Sequence, residues 1–329
     1  AFDRSSPWSM VGGPSDSRGE RGSAGAIEGA PEGESAPATA AAPAADWQVG
    51  SVLAITGLSV VRLAWGPGEP RERIPAYVLK QAATGPAARR ARLAIAQEVE
   101  ALSTVRSRHV VPLLDARLNG GEPFIVLPRL VPSRPAGVAR RPIEREQVGR
   151  VADVALQVCR GLRDLHAAGW IHGDPSPDHV AVDPSLHVTL FDLGLARRID
   201  GANRGPEIAD RWQGAVTGSL STLAPEAFRP GTPIGPERDW YAFGLILHDW
   251  LTGRSPWQAR TEPEWELAHR SQAADLTEIR RAGFPPGLVD LLGRLLAKDP
   301  LRRPEGSEIE SRLLELAIDR FGGWIAPAA

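Results

Sequence analysis

The stretch His172–Gly194 reads HGDPSPDHVAVDPSLHVTLFDLG and carries two aspartates eighteen residues apart, Asp174 and Asp192. Asp174 lies among prolines, which disfavour the helical region for the residues before them, so a loop is predicted there. Two short apolar runs, 180–183 and 187–191, flank a turn and predict a hairpin. This hairpin would bring a loop aspartate and a strand-end aspartate together. Paired carboxylates suit the metal binding and proton acceptance of phosphoryl transfer, and two unrelated turn aspartates are the alternative interpretation.

Four further motifs accompany this stretch in a fixed order, one before it and three after it. Together with it they are Tyr77-Val-Leu-Lys80, His172-Gly-Asp174 with Asp192-Leu-Gly194, Ala224-Pro-Glu226, Asp239-Trp-Tyr-Ala-Phe-Gly244 and Asp299-Pro-Leu-Arg-Arg303-Pro304. They resemble V-A-I-K, H-R-D, D-F-G, A-P-E, the opening of a buried helix, and a late arginine motif of the eukaryotic-like (Hanks-type) serine/threonine protein kinases. The resemblance covers about residues 47–320. It implies an α+β, two-lobed protein-kinase fold, with a small antiparallel β-sheet lobe carrying one helix and a larger, mainly helical lobe.

The composition separates an N-terminal segment from the rest of the chain. Ile27 is the only large apolar side chain between residues 12 and 46, where Gly, Ala, Pro, Ser and Glu dominate. Such a segment cannot bury enough surface to offset its ordering entropy, and a disordered linker is predicted. The expected organisation is a linker at 1–46 and a kinase domain at 47–325, with the N-lobe and hinge at 47–130 and the C-lobe at 131–325.

Bulk properties narrow the partners. The formal net charge of −2 over 329 residues gives no reason to expect nucleic acid or an anionic membrane as a partner. The single cysteine, Cys159, excludes an intrachain disulfide framework and fits a reducing, cytoplasmic location. No apolar run reaches the roughly 18 residues of a membrane span. The sequence opens on Ala1 with its only methionine at position 10, so flanking domains in a longer parent chain are expected.

The resemblance assigns chemical roles to four side chains. It implies that Asp174 accepts the proton of the substrate hydroxyl or aligns that hydroxyl for attack. Asp192 would hold Mg²⁺ against the phosphates of ATP, and Lys80 would neutralise the nucleotide. Ser219 stands where such kinases carry a threonine, and its hydroxyl would bond Asp174. The implied cofactors are ATP with Mg²⁺ or Mn²⁺, and the implied partner is a protein substrate.

A buried carboxylate also follows from helical periodicity. Ile95, Glu98, Leu102 and Val105 share one face of a predicted helix, because their spacings are three and four residues. Glu98 therefore points inward among apolar side chains and needs a cationic partner. Lys80 is the obvious one, and the pair corresponds to the lysine–glutamate bridge of the family.

The remaining implied residues fall into two groups. Besides Lys80 and Glu98, the nucleotide site would include Gly57, Val61, Val78, Leu127 as gatekeeper, Leu130 and Ala181. The structural residues would be His172, Leu193, Leu102 and Leu113, stacked as a spine between the lobes, together with Asp239 and a buried Glu226–Arg303 pair.

The phosphate-covering loop departs from the family pattern. Aligned on Val61, its three glycine positions hold Ala54, Thr56 and Ser59, and Gly57 is out of register. Side chains at these positions hinder the close approach of backbone amides to phosphate.

Three more departures lie in the catalytic loop. Gly173 replaces the arginine that receives an activation-loop phosphate, and Ser176 replaces the lysine that steadies the γ-phosphate. His179 replaces the asparagine that holds a second Mg²⁺. An imidazole suits Mn²⁺ better than Mg²⁺. The alternative interpretation of His179 is a loop residue that binds no metal.

Three functions are compatible with these features. An ATP-dependent serine/threonine protein kinase is favoured, because Lys80, Glu98, Asp174 and Asp192 are all present. A pseudokinase that acts as a nucleotide-binding or protein-interaction module is the main alternative. Small-molecule phosphotransferases also contain H-G-D loops, but the A-P-E and late arginine motifs argue against that function.

Overall fold

The computed structural model describes residues 47–130, 148–199, 220–229 and 231–322. The predicted linker at 1–46, the start of the predicted C-lobe at 131–147, and Ser219 lie outside the described residues.

An antiparallel sheet forms the N-terminal part of the described chain. Its five strands have the spatial order β1-β2-β3-β5-β4. They are β1 (Gln48–Ile55), β2 (Ser59–Trp65), β3 (Tyr77–Ala82), β4 (Asp115–Arg117) and β5 (Phe124–Pro128). The pairing places Lys80 between Val61 of β2 and Ile125 of β5, so the lysine lies in the middle of the sheet.

Helix α1 (Ala88–Thr104) packs against this sheet. Its buried residues recur at spacings of three and four, as an amphipathic helix requires. They are Ala91, Ala94, Ile95, Glu98, Ala101 and Leu102. Glu98 is therefore carried into the core by the apolar stripe on which it lies.

The C-terminal part of the described chain is mainly helical. Its helices are α2 (Val148–Ala167), α3 (Glu237–Thr252), α4 (Glu262–Ser271), α5 (Thr277–Arg281), α6 (Pro286–Leu295) and α7 (Gly306–Gly322). Helix α3 is buried nearly all round, which marks it as the centre of this lobe. The β-sheet lobe and the helical lobe confirm the predicted fold class. Within the described residues, no helix has the length and apolar character needed to span a membrane.

Two short hairpins position the catalytic loop. Strand β6 (Trp170–Ile171) pairs with β9 (Arg197–Arg198), and β7 (Val180–Val182) pairs with β8 (Val188–Leu190). The loop 172–179 enters β7, and Asp192 follows β8. Because antiparallel neighbours begin and end at the same edge, the two predicted aspartates are brought to one side of the β7–β8 hairpin.

Candidate active site

Lys80 joins two acidic groups from different parts of the chain. Its Nζ lies 2.7 Å from Glu98 Oε2 and 2.8 Å from Asp192 Oδ1. The Glu98 side chain is fully buried, whereas 36% of the Asp192 side chain is exposed. Strand β3, helix α1 and the residue after β8, Asp192, thus meet at the ammonium group of Lys80. Of the two carboxylates, that of Asp192 faces the cleft.

The charges of this cluster are strongly coupled. Burial alone would lower the pKa of Lys80, but the carboxylates of Asp192 and Glu98 outweigh it and hold that pKa above its ordinary value. Burial alone would raise the pKa of Asp192, but Lys80 and His179 hold it below the ordinary range. Burial raises the pKa of Glu98 despite the attraction of Lys80, so Asp192 is the carboxylate that is held ionised at the cleft, where a divalent cation would be bound.

Asp192 also has an unusual backbone. Its φ of 66° and ψ of 66° lie in the left-handed region, where a residue with a side chain is strained. Such strain costs about 1–3 kcal/mol and persists where surrounding contacts fix it. The hydrogen bond from Lys80 is one such contact. The position of the Asp192 carboxylate is therefore set by the backbone conformation and by its bond to Lys80.

His179 lies between the two aspartates. Its Nδ1 donates a hydrogen bond of 2.8 Å to the backbone oxygen of Asp174. The carboxylates of Asp174 and Asp192 are each 3.7 Å from the ring, on opposite nitrogens. Burial disfavours the protonated ring, but the two carboxylates outweigh it and raise the pKa of His179. The ring therefore links the catalytic loop to the residue after β8.

The Asp239 carboxylate of α3 fixes the start of the catalytic loop. The Asp239 carboxylate accepts hydrogen bonds from the backbone amides of His172, at 2.8 Å, and Gly173, at 3.1 Å. It also lies 2.8 Å from Nε2 of His166. His172 is fully buried, and burial lowers its pKa to about 4, so the ring is a neutral core residue at neutral pH.

Gly173 is required by its surroundings. Its φ is 81°, and a Cβ atom would overlap the carbonyl oxygen of Leu195. The arginine that the family carries at this position therefore does not fit this backbone.

A cavity of about 160 Å³ opens between the sheet and the catalytic loop. Apolar side chains of both lobes line it: Ala54, Val61, Val78, Val111, Leu127, Leu130 and Phe191. Its polar lining includes Lys80, Glu98, Asp192, His179 and Ser176. An elongated ligand with an apolar part and an anionic part matches this division.

The cavity contains most of the predicted nucleotide residues. Val61, Val78, Leu127 and Leu130 lie where the sequence suggested. Gly57 and Ala181 are not among its lining residues, because Gly57 is at the exposed tip of the β1–β2 turn and Ala181 is buried in β7. Val111 and Phe191 line it without having been predicted. Phe191 had one available signal, since it directly precedes Asp192.

The β1–β2 turn bonds to itself. The Thr56 hydroxyl accepts the backbone amides of Leu58, at 3.3 Å, and Ser59, at 3.0 Å. The amide of Thr56 in turn donates to the Ser59 carbonyl at 2.8 Å. These three amides are therefore committed within the turn, which explains how side chains replace the family's glycines here.

Two further contacts tie helix α1 to β9. Arg197 donates to the side chain of Gln97 at 2.9 Å, and Arg198 donates to Glu100 at 3.1 Å. Glu100 lies two residues beyond Glu98, about 200° further round the helix, so helical periodicity predicts that it points to water. The residue is exposed, but it also holds an arginine 98 positions away.

The predicted structural residues are largely buried. Glu226 and Arg303 form two parallel bonds of 2.7 and 2.8 Å in the helical lobe. His172, Leu193 and Leu102 are buried, and Leu113 packs, partly buried, against the same core. Their continuous stacking stays a prediction, as does the role of Ser219, which lies outside the described residues.

A β-sheet lobe over a helical lobe, with a lysine–glutamate–aspartate cluster facing a catalytic loop, defines the protein kinases as the class of fold and site. The chain belongs to the protein kinase domain family, whose sequence pattern matches residues 71–312. Members of this family use ATP and a divalent metal ion.

Relatives from bacteria and plants are similar over parts of the chain. Serine/threonine-protein kinase pkn3 of Myxococcus xanthus is 31% identical over 178 residues, or 52% of this chain and 32% of that protein. Serine/threonine-protein kinase PknL of Mycobacterium tuberculosis is 27% identical over 234 residues, or 68% of this chain and 55% of that protein. Serine/threonine-protein kinase RUNKEL of Arabidopsis thaliana is 29% identical over 156 residues, or 47% of this chain and 11% of that protein. The chain thus spans at most about half of these relatives.

Proposed function

We propose that this domain is an ATP-dependent serine/threonine protein kinase, which transfers the γ-phosphoryl group of ATP to a protein hydroxyl. The observation that carries the proposal is the buried bridge from Lys80 to Glu98 and Asp192, at 2.7 and 2.8 Å, beside the loop that holds Asp174. Three separately encoded ionisable groups, Lys80, Glu98 and Asp192, line one cleft, and the Asp174 carboxylate lies 3.7 Å from His179, which lines that cleft too. Their arrangement supports positioning and charge neutralisation, the main requirements of phosphoryl transfer.

Each residue has a distinct task in this proposal. Lys80, oriented by Glu98, binds the phosphates, and the apolar cavity walls hold the base. Asp192 would hold the divalent cation, which would offset phosphate charge. Asp174 accepts or aligns the proton of the attacking hydroxyl.

The donor set fits a cation that keeps most of its ligands from phosphates and water. Asp192 offers an exposed carboxylate, and Mg²⁺ is commonly bound through one or two carboxylates plus substrate phosphates. In the described part of the chain, no group of three or more His, Cys, Asp or Glu side chains is arranged to hold a metal ion. The protein therefore supplies a partial site that substrate would complete.

The direct test is phosphate transfer from γ-labelled ATP, with Mg²⁺ or Mn²⁺, to the chain itself and to generic protein substrates. Label on serine or threonine that depends on Asp174 supports the proposal. ATP binding without transfer would instead favour the pseudokinase alternative, for which the closed β1–β2 turn is the specific supporting observation. Absence of ATP binding at millimolar nucleotide would overturn the kinase proposal.

We expect the metal preference to depend on His179. Its Nε2 and Asp192 Oδ2 are 3.7 Å apart, so His179 and Asp192 would both be available as ligands to a bound metal ion. Mn²⁺ accepts an imidazole ligand more readily than Mg²⁺ does, so ATP binding and transfer should be stronger with Mn²⁺. The variant His179→Asn restores the family residue. It should lower the ratio of the transfer rate with Mn²⁺ to the rate with Mg²⁺, because the Mg²⁺ reaction improves. An unchanged ratio in parallel titrations would mean that His179 serves only as a link between loops.

Activity is also expected to be independent of activation-loop phosphorylation. Gly173 supplies no cation to receive a phosphate, and the nearby Arg197 is buried and bonded to Gln97. Treatment of the purified protein with a phosphatase, followed by removal of the phosphatase, should leave the transfer rate unchanged, because no phosphate-dependent contact would be lost. Loss of activity that returns on rephosphorylation would contradict this expectation.

The parent protein is proposed to carry further domains and to act on protein substrates, since the curated relatives are longer than this chain. The cytoplasmic location stays a prediction from the single cysteine.

A further inference from the structure

Lys298, in the loop after helix α6, carries a partly buried ammonium group. Its Nζ lies 4.3 Å from the centre of the Trp257 ring. In the part of the chain that the structure describes, this group forms no ion pair and bonds to two neutral oxygens, the Ala268 carbonyl at 3.1 Å and the Tyr241 hydroxyl at 3.3 Å. Burial and the nearby Arg303 lower the pKa of Lys298 to about 8. A partly buried cation without a countercharge is unfavourable, so a bound anion would stabilise it.

The direction of each hydrogen bond around Tyr241 follows from His269. The Nε2 atom of His269 lies 2.8 Å from the Leu220 carbonyl oxygen, which can only accept, so this nitrogen carries the proton. Burial lowers the pKa of His269 to about 4, so the ring is neutral and its Nδ1 is an acceptor. The Tyr241 hydroxyl, 3.1 Å from Nδ1, therefore donates to the ring, and its oxygen accepts from Lys298. Two of the three ammonium protons are thus committed, and the third can bond to a ligand.

Lys298 lines a groove of about 760 Å³ between helices α5 and α6 and the loop after α6, called below the Lys298 groove. Four cationic side chains and one carboxylate line it: Arg280, Arg294, Lys298, Arg302 and Asp299. Glu308, which is not part of the lining, pairs with Arg294. Among the described residues, the exposed guanidinium groups of Arg280 and Arg302 have no such partner. Even with Asp290 of the adjoining groove counted, the cations outnumber the carboxylates.

The rest of the Lys298 groove is apolar. Its lining is completed by small and aliphatic side chains: Ala273, Ala274, Leu276, Leu296 and Ala297. Its volume lies within the roughly 300–1,000 Å³ of small-molecule sites. Guanidinium groups match the oxygens of a phosphate with parallel hydrogen bonds, and an ammonium adds a point charge. A ligand with a phosphate head and a small apolar body therefore fits both parts of the groove.

We propose that the Lys298 groove binds a small organic phosphate, with the phosphate oxygens at Lys298, Arg280 and Arg302 and the organic part against the apolar lining. This site is separate from the nucleotide cleft, because the two share no lining residue. The inference does not rest on the proposed kinase activity, since it requires neither ATP nor transfer.

Calorimetric titration of the whole chain with phenyl phosphate tests the inference. Inorganic phosphate and phenol are the comparison probes, because each lacks one half of phenyl phosphate. Phenyl phosphate should bind at least about threefold more tightly than inorganic phosphate, since the ring removes apolar surface from water. Phenol, which offers no charge to the cations, should bind more weakly than phenyl phosphate.

Two variants locate the binding site. Lys298→Met keeps an unbranched apolar side chain, removes the charge, and should weaken phenyl phosphate binding by about tenfold, as expected for a lost bond to a charged group. The double variant Arg280→Ser, Arg302→Ser changes only exposed side chains and should weaken binding by about tenfold as well. The matched control is Arg108→Ser, which removes an exposed positive charge outside the groove and should stay within about twofold of the original affinity.

Weaker binding in Lys298→Met and in the double variant, with Arg108→Ser unchanged, supports the inference. If Lys298→Met fails to fold, the double variant alone decides. Unchanged binding in the double variant would place the phosphate elsewhere, such as in the cleft beside Lys80, and would overturn the inference. Equal affinities for phenyl phosphate and inorganic phosphate would also overturn it. So would a lack of measurable phenyl phosphate binding, which would leave the kinase proposal standing, because that proposal is judged by transfer from ATP.

Discussion

Glu226→Ala is expected to lower the free energy of unfolding by about 3–5 kcal/mol, the cost of stranding one charge of a buried pair. Arg303 is the stranded partner, since its side chain is fully buried and bonds both oxygens of Glu226. In the variant, the Arg303 guanidinium would still bond to the carbonyls of Ala297 and Glu237 and lie over the ring of Tyr241. It would no longer be bonded to a carboxylate. A domain of this size should lose on the order of 10 °C in melting temperature.

Glu308→Ala provides a matched control. Glu308 also meets both nitrogens of an arginine, Arg294, but both side chains are 39% exposed. Exposed pairs contribute about 0–1 kcal/mol, so this variant should melt close to the original protein. Chemical denaturation of both variants measures the difference. Equal destabilisation by Glu226→Ala and Glu308→Ala would show that burial of the Glu226–Arg303 pair contributes nothing. A smaller loss of stability in a Glu226→Leu, Arg303→Met double variant than in Glu226→Ala would support the stranded-charge explanation.

Asp174→Asn is expected to reduce the rate of phosphoryl transfer by about 10²–10⁴-fold, the range for removal of a general base. Asparagine keeps the shape of the side chain but cannot accept a proton from the substrate hydroxyl. The backbone oxygen of Asp174, which receives the His179 bond, is unchanged, so the loop should keep its path. Calorimetry should therefore show ATP binding within about threefold of the original protein, while initial rates fall.

The control for this variant is Asp183→Asn in the turn between β7 and β8. The Asp183 carboxylate accepts bonds from Ser185 and the His187 amide through one oxygen, which asparagine retains. Its transfer rate should stay within about twofold of the original, since no substrate group depends on its charge. If Asp174→Asn kept more than half of the original rate, Asp174 would not be the catalytic carboxylate.

The parts of the site that sequence could predict are those fixed by local periodicity or by motifs. Helical spacing directed Glu98 inward, because one turn of helix determines which neighbours share a face. The apolar runs around the Asp183 turn predicted the β7–β8 hairpin that positions Asp192. These inferences depend on residues a few positions apart, and the motif order supplied the long-range arrangement of the two lobes.

The parts that sequence could not predict depend on where separate segments meet. Glu100 was directed to water, yet it meets Arg198 from β9, and no local pattern encodes that contact. Gly173 reads as a lost arginine, whereas the structure shows a backbone that excludes any side chain beside Leu195. Thr56 reads as a defect in a glycine loop, whereas its hydroxyl closes the turn. In each case the residue type is visible and its partner is not.

The anchoring of the catalytic loop on Asp239 has a consequence for cooperativity. The amides of His172 and Gly173 donate hydrogen bonds to a carboxylate on α3, the buried helix at the centre of the helical lobe. Exchange of those two amide protons with solvent therefore requires opening of the most protected part of the lobe rather than fraying of a surface loop. The loop that carries Asp174 belongs to the same folding unit as the core, so catalytic geometry and global stability are lost together.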